Sequence, residues 1–153
     1  MGGTIDVETA MSALFAIGIA AGSITAAVIS HGRVTLILVP IAGLVMSLVL
    51  FDLTAATAGL DIATMEISLQ QFITDPRGIH IALAVTAFAF AGGVFVVPVF
   101  SAVQLWAVED KRARIIAGVN ILNSLFIVGG TLFVAGLQMI GVSDPQILAL
   151  VGG

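Results

Sequence analysis

The longest apolar stretch of this chain runs from Ile79 to Leu105 and reads IHIALAVTAFAFAGGVFVVPVFSAVQL. Its only titratable side chain is His80, which lies next to its start. A helix crosses about 30 Å of hydrocarbon with about 20 mainly apolar residues. This stretch would form a helix of about 40 Å, at about 1.5 Å per residue. It therefore predicts a membrane-spanning helix that tilts or projects beyond the hydrocarbon.

Three further stretches have the length and composition of membrane spans. They cover about residues 11–29, 36–58 and 115–137, and the only charged residue among them is Asp52. Strands of a membrane barrel would be about 9–11 residues long with alternating polar positions, which these stretches lack. An apolar run from Ile147 to the end of the chain is too short to span. We therefore predict an all-α membrane protein with four complete spans and a truncated fifth.

The composition agrees with this assignment. Of the 153 residues, 59% are hydrophobic and 9% are charged, whereas soluble domains carry roughly 25% charged residues. Five basic and nine acidic side chains are too few to cover the surface of a soluble domain of this length. The net charge of −4 argues against nucleic acid as a partner, because phosphate binding needs an excess of Lys and Arg. Soluble enzymes and nucleic-acid-binding proteins are therefore excluded.

The sequence offers no catalytic, cofactor-binding or metal site. It contains no cysteine and no tyrosine, which removes disulfides and thiolate ligands. It has no phosphate-binding loop and no nucleophile in a recognisable pattern with a base. We therefore predict no enzymatic activity and no cofactor for this chain.

The basic residues predict the orientation in the membrane. Arg33 lies between the first two spans, and Lys111, Arg112 and Arg114 lie between the last two, whereas Arg77 alone lies on the other side. Loops rich in Lys and Arg face the cytoplasm. We therefore expect a multi-pass protein of the cell membrane with both termini external. The Lys111–Arg114 segment either serves as a solvated anchor or also contacts anionic headgroups and neighbouring loops.

Several polar residues lie within or near the ends of the spans. Asp52, near the outer end of the second span, is either an interfacial carboxylate or a proton or cation site lining a path. Asn120, Asn123 and Ser124 share one helix face, which predicts contacts with another helix or with a watered cavity. Gln104, near the end of the third span, is a further candidate for a path or packing residue.

Small residues and a proline mark candidate helix contacts and bends. Gly18 and Gly22 form a small-xxx-small pattern on which another helix can lie closely, either for plain packing or as a gating contact. In the third span, Gly92, Gly93 and Pro98 provide a place to bend, because Pro98 removes a helix hydrogen bond. Such a bend is either a packing device or a hinge.

The connection between the second and third spans carries its own helical signal. Apolar residues recur at helical spacing, which predicts a short helix along the membrane surface. They are Ile62, Met65, Leu69, Phe72 and Ile73. The segment 75–78, DPRG, predicts a turn, with the third span beginning after it.

Three groups of motifs connect the chain with a known family. They are IGIAAGS at 17–23 with HGRV at 31–34 and LVPIAG at 38–43; FITDPRG at 72–78 with GGVFVVPV at 92–99; and RARIIAGVNILN at 112–123. Together they resemble the lysophospholipid transporters of the major facilitator superfamily. The transporter part of bacterial fusion proteins that also carry an acyltransferase and an acyl-carrier-protein synthetase is particularly similar. The family often has Pro-Leu-Tyr at 98–100 and paired Asn at 119–120, where this chain differs.

The resemblance implies a twelve-span transporter with two six-helix halves. Residues 1–153 would then be a partial transporter domain of the C-terminal half, holding the eighth to eleventh spans and the opening of the twelfth. The missing half or fused acyltransferase domains would be partners, and any acyltransferase activity would belong to such a domain outside these residues. The implied substrate is lysophospholipid, moved across the bacterial inner membrane for re-acylation.

A second interpretation stays open beside the resemblance. The chain could be a complete small four-helix membrane protein that dimerises as an exporter or accessory subunit. That interpretation calls for a membrane-embedded carboxylate in an early span, and the first span has none. In either case membrane lipids surround the chain.

Overall fold

The computed structural model describes residues 5–57, 68–142 and 147, and these form helices and turns without any strand. Five α-helices and one single-turn 3-10 helix follow one another along this part of the chain. They are α1 (Ile5–Ser30), α2 (Leu38–Thr57), α3 (Leu69–Thr74), α4 (Pro76–Trp106), the 3-10 helix (Glu109–Lys111) and α5 (Arg112–Met139).

Four of these helices, α1, α2, α4 and α5, are long and apolar enough to cross a membrane. The predicted all-α class is therefore confirmed for the described residues, with four helices of the length and apolarity that spans require. Helix α1 begins before its apolar run because Asp6 and Glu8 lie in its first turn, where acidic side chains favour the helix N-terminus. The predicted truncated span from Ile147 lies, apart from Ile147 itself, outside the described residues.

The junction between α3 and α4 is built from two N-terminal caps. Ser68 and Gln71 form a capping box at the start of α3. The Asp75 carboxylate accepts a hydrogen bond of 2.9 Å from the Arg77 backbone N–H, and Pro76 is the first residue of α4. The segment 75–78 is therefore a helix start, and the prediction that the span begins after it is wrong. Cap and proline together favour helix from Pro76 onward.

Only the last part of the predicted surface helix belongs to the described residues. Its C-terminal residues form α3, whereas Ile62 and Met65 lie outside the described part. Helix α3 packs against the start of α4. The approach is close at Gly78, where a Cβ atom would overlap the carbonyl oxygen of Phe72.

Helix α4 is the centre of the fold, with α1 and α2 packed along it. Gly18 lies against Thr86 and Ala89, and Gly22 lies against Phe90. The later glycine of α1 contacts the later residue of α4, so α1 and α4 run parallel. A Cβ at Gly18 would be 2.8 Å from the Ala89 Cβ. Because glycine has no side chain, the two backbones approach closely at Gly18 and Gly22. A gating role for this contact stays a prediction.

The predicted bend region of α4 remains helical. Helix α4 continues from Pro76 to Trp106 through Gly92, Gly93 and Pro98. Gly93 faces α1, where a Cβ would overlap the Ile19 carbonyl oxygen, whereas the space at Gly92 is open. Pro98 is fully buried. Gly93 is therefore a helix contact, and the hinge role of this region stays a prediction.

Helix α5 lies apart from this layer. It contacts α4 and the adjacent 3-10 helix, and none of its residues is buried. Its apolar side chains, such as Phe126 and Leu132, are mostly exposed. Helix α5 is long enough to span, so its surface is available to lipid or to other helices.

Candidate membrane-embedded site

An acidic and a titratable basic side chain meet where α2 crosses α4. The Oδ2 atom of Asp52 lies 2.7 Å from the Nε2 atom of His80. Within residues 5–57 and 68–106, no other side-chain hydrogen bond shown by the structure joins two helices. This pair is therefore the polar connection between α2 and α4.

The local sequence explains why these two residues lie at the same depth. Asp52 is five residues before the end of α2, and His80 is four residues after the start of α4. The two helices are consecutive spans, so the chain end of one and the start of the other lie on the same side of the membrane. Both side chains therefore lie a little more than one turn inside their helices.

The surroundings of the pair are apolar. A shallow cavity of about 390 Å³ contains the pair, and α2 and α4 supply the other lining residues. Those residues are Leu48, Val49, Leu83, Ala84 and Ala87. The side chains of His80 and Asp52 are 50% and 49% exposed. The cavity therefore combines the polar Asp52–His80 pair with an apolar lining beside it.

The pair alone cannot form an ordinary metal centre. In the described part of the chain, no three His, Cys, Asp or Glu residues lie close enough together to hold a metal ion. Asp52 and His80 supply two ligand groups, and the remaining lining is hydrocarbon. Proton exchange between imidazole and carboxylate is the chemistry that these two groups can perform.

The other predicted path residues do not join this site. Gln104 is exposed near the far end of α4, about 36 Å from His80 along the helix. Asn120, Asn123 and Ser124 are exposed on α5. The Ser124 hydroxyl donates to the Asn120 carbonyl oxygen at 2.9 Å, and the structure shows no hydrogen bond from either Asn amide to a described residue. The partner predicted for this face is therefore not among the helices described.

The polar face of α5 is longer than the three predicted residues. Asn120, Ser124, Ile127 and Thr131 follow one another at spacings of four, three and four, and all four are exposed. Such spacing keeps residues on one seam, as in helices that pack side by side. The Thr131 hydroxyl bonds to its own helix at the Ile127 carbonyl. We refer to these four residues as the α5 seam.

The basic residues collect at one end of the described helices. Because α1 and α4 run parallel, the turn at Arg33 and the segment holding Lys111, Arg112 and Arg114 lie on the same side. His31 and Gly32 form this turn with φ of 46° and 74°, a conformation that glycine adopts without strain. The four basic residues are exposed. The Asp52–His80 pair lies toward the opposite end.

The pairing of Asp52 with His80 is the feature that the sequence interpretation missed. In the sequence, His80 stands out only as the titratable residue near the start of a span. The sequence does contain one indication of the pair. Asp52 and His80 lie at similar distances from the connection between two consecutive spans, which places them at similar depth. Depth alone did not show that the two side chains face each other.

The four long apolar helices define a multi-pass α-helical membrane protein. Comparisons of the chain with protein-family models, with curated proteins and with solved structures find no match.

Proposed function

We propose that this chain forms part of a secondary transporter that moves lysophospholipid across a bacterial inner membrane. The observation that carries the transport assignment is the Asp52–His80 pair, which lies inside two membrane-length helices beside an open cavity. Ionisable residues within spans are costly in lipid and mark substrate or ion pathways. The motif resemblance at residues 17–43, 72–99 and 112–123 supports the superfamily and the substrate class.

The cavity at the pair suits a single-chain phospholipid. Such a molecule combines one acyl chain with a phosphate headgroup. Leu48, Leu83 and Ala87 offer an apolar surface for the chain, and the imidazole, once its Nδ1 is protonated, offers a donor for the phosphate. In the proposed orientation this end of the helices faces outward, which is where lysophospholipid would enter from the outer leaflet.

The described helices would supply one wall of the transport path. Helix α4 holds α1 and α2, and α5 carries an uncovered polar seam. In transporters of this type the path lies at the interface between two repeats. Other helices, from the missing half or from fused domains, would complete it.

Photolabelling tests lysophospholipid binding directly. The chain in lipid nanodiscs is exposed to photoactivatable lysophosphatidylethanolamine, and we expect labelling that unlabelled lysophospholipid displaces and diacyl phospholipid does not. Leu83→Trp fills the cavity and should reduce labelling. Leu132→Trp is the matched control, since Leu132 and Leu83 are 67% and 66% exposed. Equal competition by diacyl lipid, or equal labelling of both variants, contradicts the proposal.

The α5 seam favours a second candidate function, that of a small four-helix protein acting as a dimeric exporter or accessory subunit. A second copy would cover the polar residues that the described helices leave exposed. Transport distinguishes the candidates. If the chain is one wall of a larger transporter, liposomes containing this chain alone should not move lysophospholipid saturably. Saturable movement by the chain alone favours the dimeric protein.

A further inference from the structure

We propose that the Asp52–His80 pair is a proton-binding site and that the proton is the ion coupled to substrate movement. The coupling rests on the proposed transport function, whereas proton binding by the pair can be measured without it. The proposal begins from the hydrogen bond between Oδ2 and Nε2 at 2.7 Å.

The geometry defines where the proton goes. With Asp52 ionised, the 2.7 Å contact requires Nε2 to carry the proton that it donates to Oδ2. The neutral imidazole then presents Nδ1 as an acceptor, and the structure shows no hydrogen bond from Nδ1 to a described residue. An incoming proton binds Nδ1 and converts a pair of net charge −1 into a neutral imidazolium–carboxylate pair. No other bond changes.

This change in net charge matters because the pair lies among apolar residues of the proposed spans. A pair with net charge −1 is costly to enclose in hydrocarbon, whereas a neutral pair has its charges compensated. Proton loading therefore favours the closed, dehydrated arrangement of the cavity. Proton release favours an arrangement in which water reaches Asp52. This difference is what an alternating-access transporter needs from its coupling ion.

Few other charges act on the pair from the helices around it. Helix α2 has no charged residue besides Asp52, and α3 has none. Asp75 caps the start of α4 next to Arg77, and Asp6 and Glu8 lie in the first turn of α1. Within residues 5–57 and 68–142, none of these four forms an ion pair with Asp52 or His80. Among the described residues, the charge of the site is therefore set by its own two groups.

Proton loading also strengthens the contact between α2 and α4. A hydrogen bond between two charged groups is stronger than one between a neutral imidazole and a carboxylate. Because the pair is the polar connection between these helices, loading holds α2 against α4. Substrate binding responds in the same direction, since the neutral pair no longer repels the lipid phosphate.

Nuclear magnetic resonance of the chain tests proton binding. With ¹⁵N-labelled histidine in nanodiscs, lowering the pH from 8 to 5 should convert His80 from the single Nε2–H tautomer to the doubly protonated ring. The Nε2–H···Oδ2 bond should persist. In Asp52→Asn the Nε2–H meets an uncharged amide oxygen, so this hydrogen bond should weaken. A His80 ring that stays neutral to pH 5, or equal behaviour of wild type and Asp52→Asn, overturns the proposal.

The pH dependence of photolabelling tests the coupling. We expect labelling by lysophosphatidylethanolamine to rise at least about threefold from pH 8 to pH 6, because a unit charge near the phosphate is removed. Asp52→Asn and His80→Gln should abolish this rise, whereas His31→Gln, at the other end of the helices, should keep it. The exchanged pair Asp52→His with His80→Asp should restore it and so exclude misfolding as the cause.

The outcomes separate this inference from the proposed function. Absence of displaceable labelling at any pH contradicts lysophospholipid binding and leaves the magnetic resonance result to decide proton binding. Labelling that is displaceable but independent of pH contradicts proton coupling alone. Labelling that follows Na⁺ concentration at fixed pH shows a different coupling ion and overturns the inference.

Discussion

The carboxylate of Asp52 and the imidazole of His80 form a 2.7 Å hydrogen bond between α2 and α4, although 28 residues separate them in sequence. Both helices have the length and apolarity of membrane spans. The bond therefore fixes the rotation of α2 relative to α4 with a directional contact. Between α1 and α4, by contrast, the contact depends on Gly18, Gly22 and Gly93 and on close backbone approach.

A double-mutant cycle should detect this contact in the stability of the protein. We expect Asp52→Leu and His80→Leu each to lower the free energy of unfolding in detergent, because each leaves the other side chain without its partner. The coupling energy should be about 0.6 kcal/mol and at most about 1.7 kcal/mol, the mean and the maximum found for hydrogen bonds between membrane helices. Strict additivity of the two substitutions would show that the bond contributes nothing to folding.

The packing of α1 on α4 predicts opposite effects at two adjacent glycines. Gly93→Ala places a methyl group on the Ile19 carbonyl oxygen, and such overpacking should cost about 1–3 kcal/mol. Gly92→Ala meets open space and gains helix propensity, so it should be neutral or slightly stabilising. Thermal unfolding in detergent measures both. Equal losses at the two positions would contradict the assignment of Gly93 as the contact.

The spans and the pairing differ in how far sequence could predict them. Apolar runs of about 20 residues reveal spans because the bilayer sets their length. The Gly18/Gly22 contact was also accessible, since small residues four apart define a flat face. The Asp52–His80 pair was not found, because hydropathy gives the depth of a residue but not the direction in which its side chain points. That direction depends on how α2 packs along α4.

The spacing of the polar residues on α5 predicts the face that they share, but not the surface that covers it. Asn120, Asn123 and Ser124 lie on one face, as their spacing predicts, and the described helices leave that face exposed. A contact needs two surfaces, and only one of them belongs to the described residues. A hinge role for Gly92 and Pro98 likewise stays a prediction, because a hinge is defined by two conformations.

Labelling from one side of the membrane should establish the orientation. Because the chain has no native cysteine, single cysteines report their own accessibility. Ile73→Cys in the exposed helix α3 should react with an impermeant thiol reagent added to intact cells. Ala113→Cys, among the basic residues at the other end, should react only after the membrane is opened. The reverse pattern would contradict an external position for both termini.

The α5 seam should cause the isolated chain to associate with itself. Side-chain amides that face lipid lack hydrogen-bond partners, so helices carrying them associate to provide those partners. We expect a single cysteine at Ile127, on the seam, to form disulfide-linked dimers in bilayers under mild oxidation. Phe126→Cys is the matched control, because both residues are exposed but Phe126 points about 100° away around the helix.

Adding Asn120→Leu and Asn123→Leu to the Ile127→Cys chain should reduce crosslinking several-fold, whereas Val119→Ala with Leu122→Ala should not. Equal crosslinking at 126 and 127 would indicate random collision, and the seam would then have no preference for a second helix.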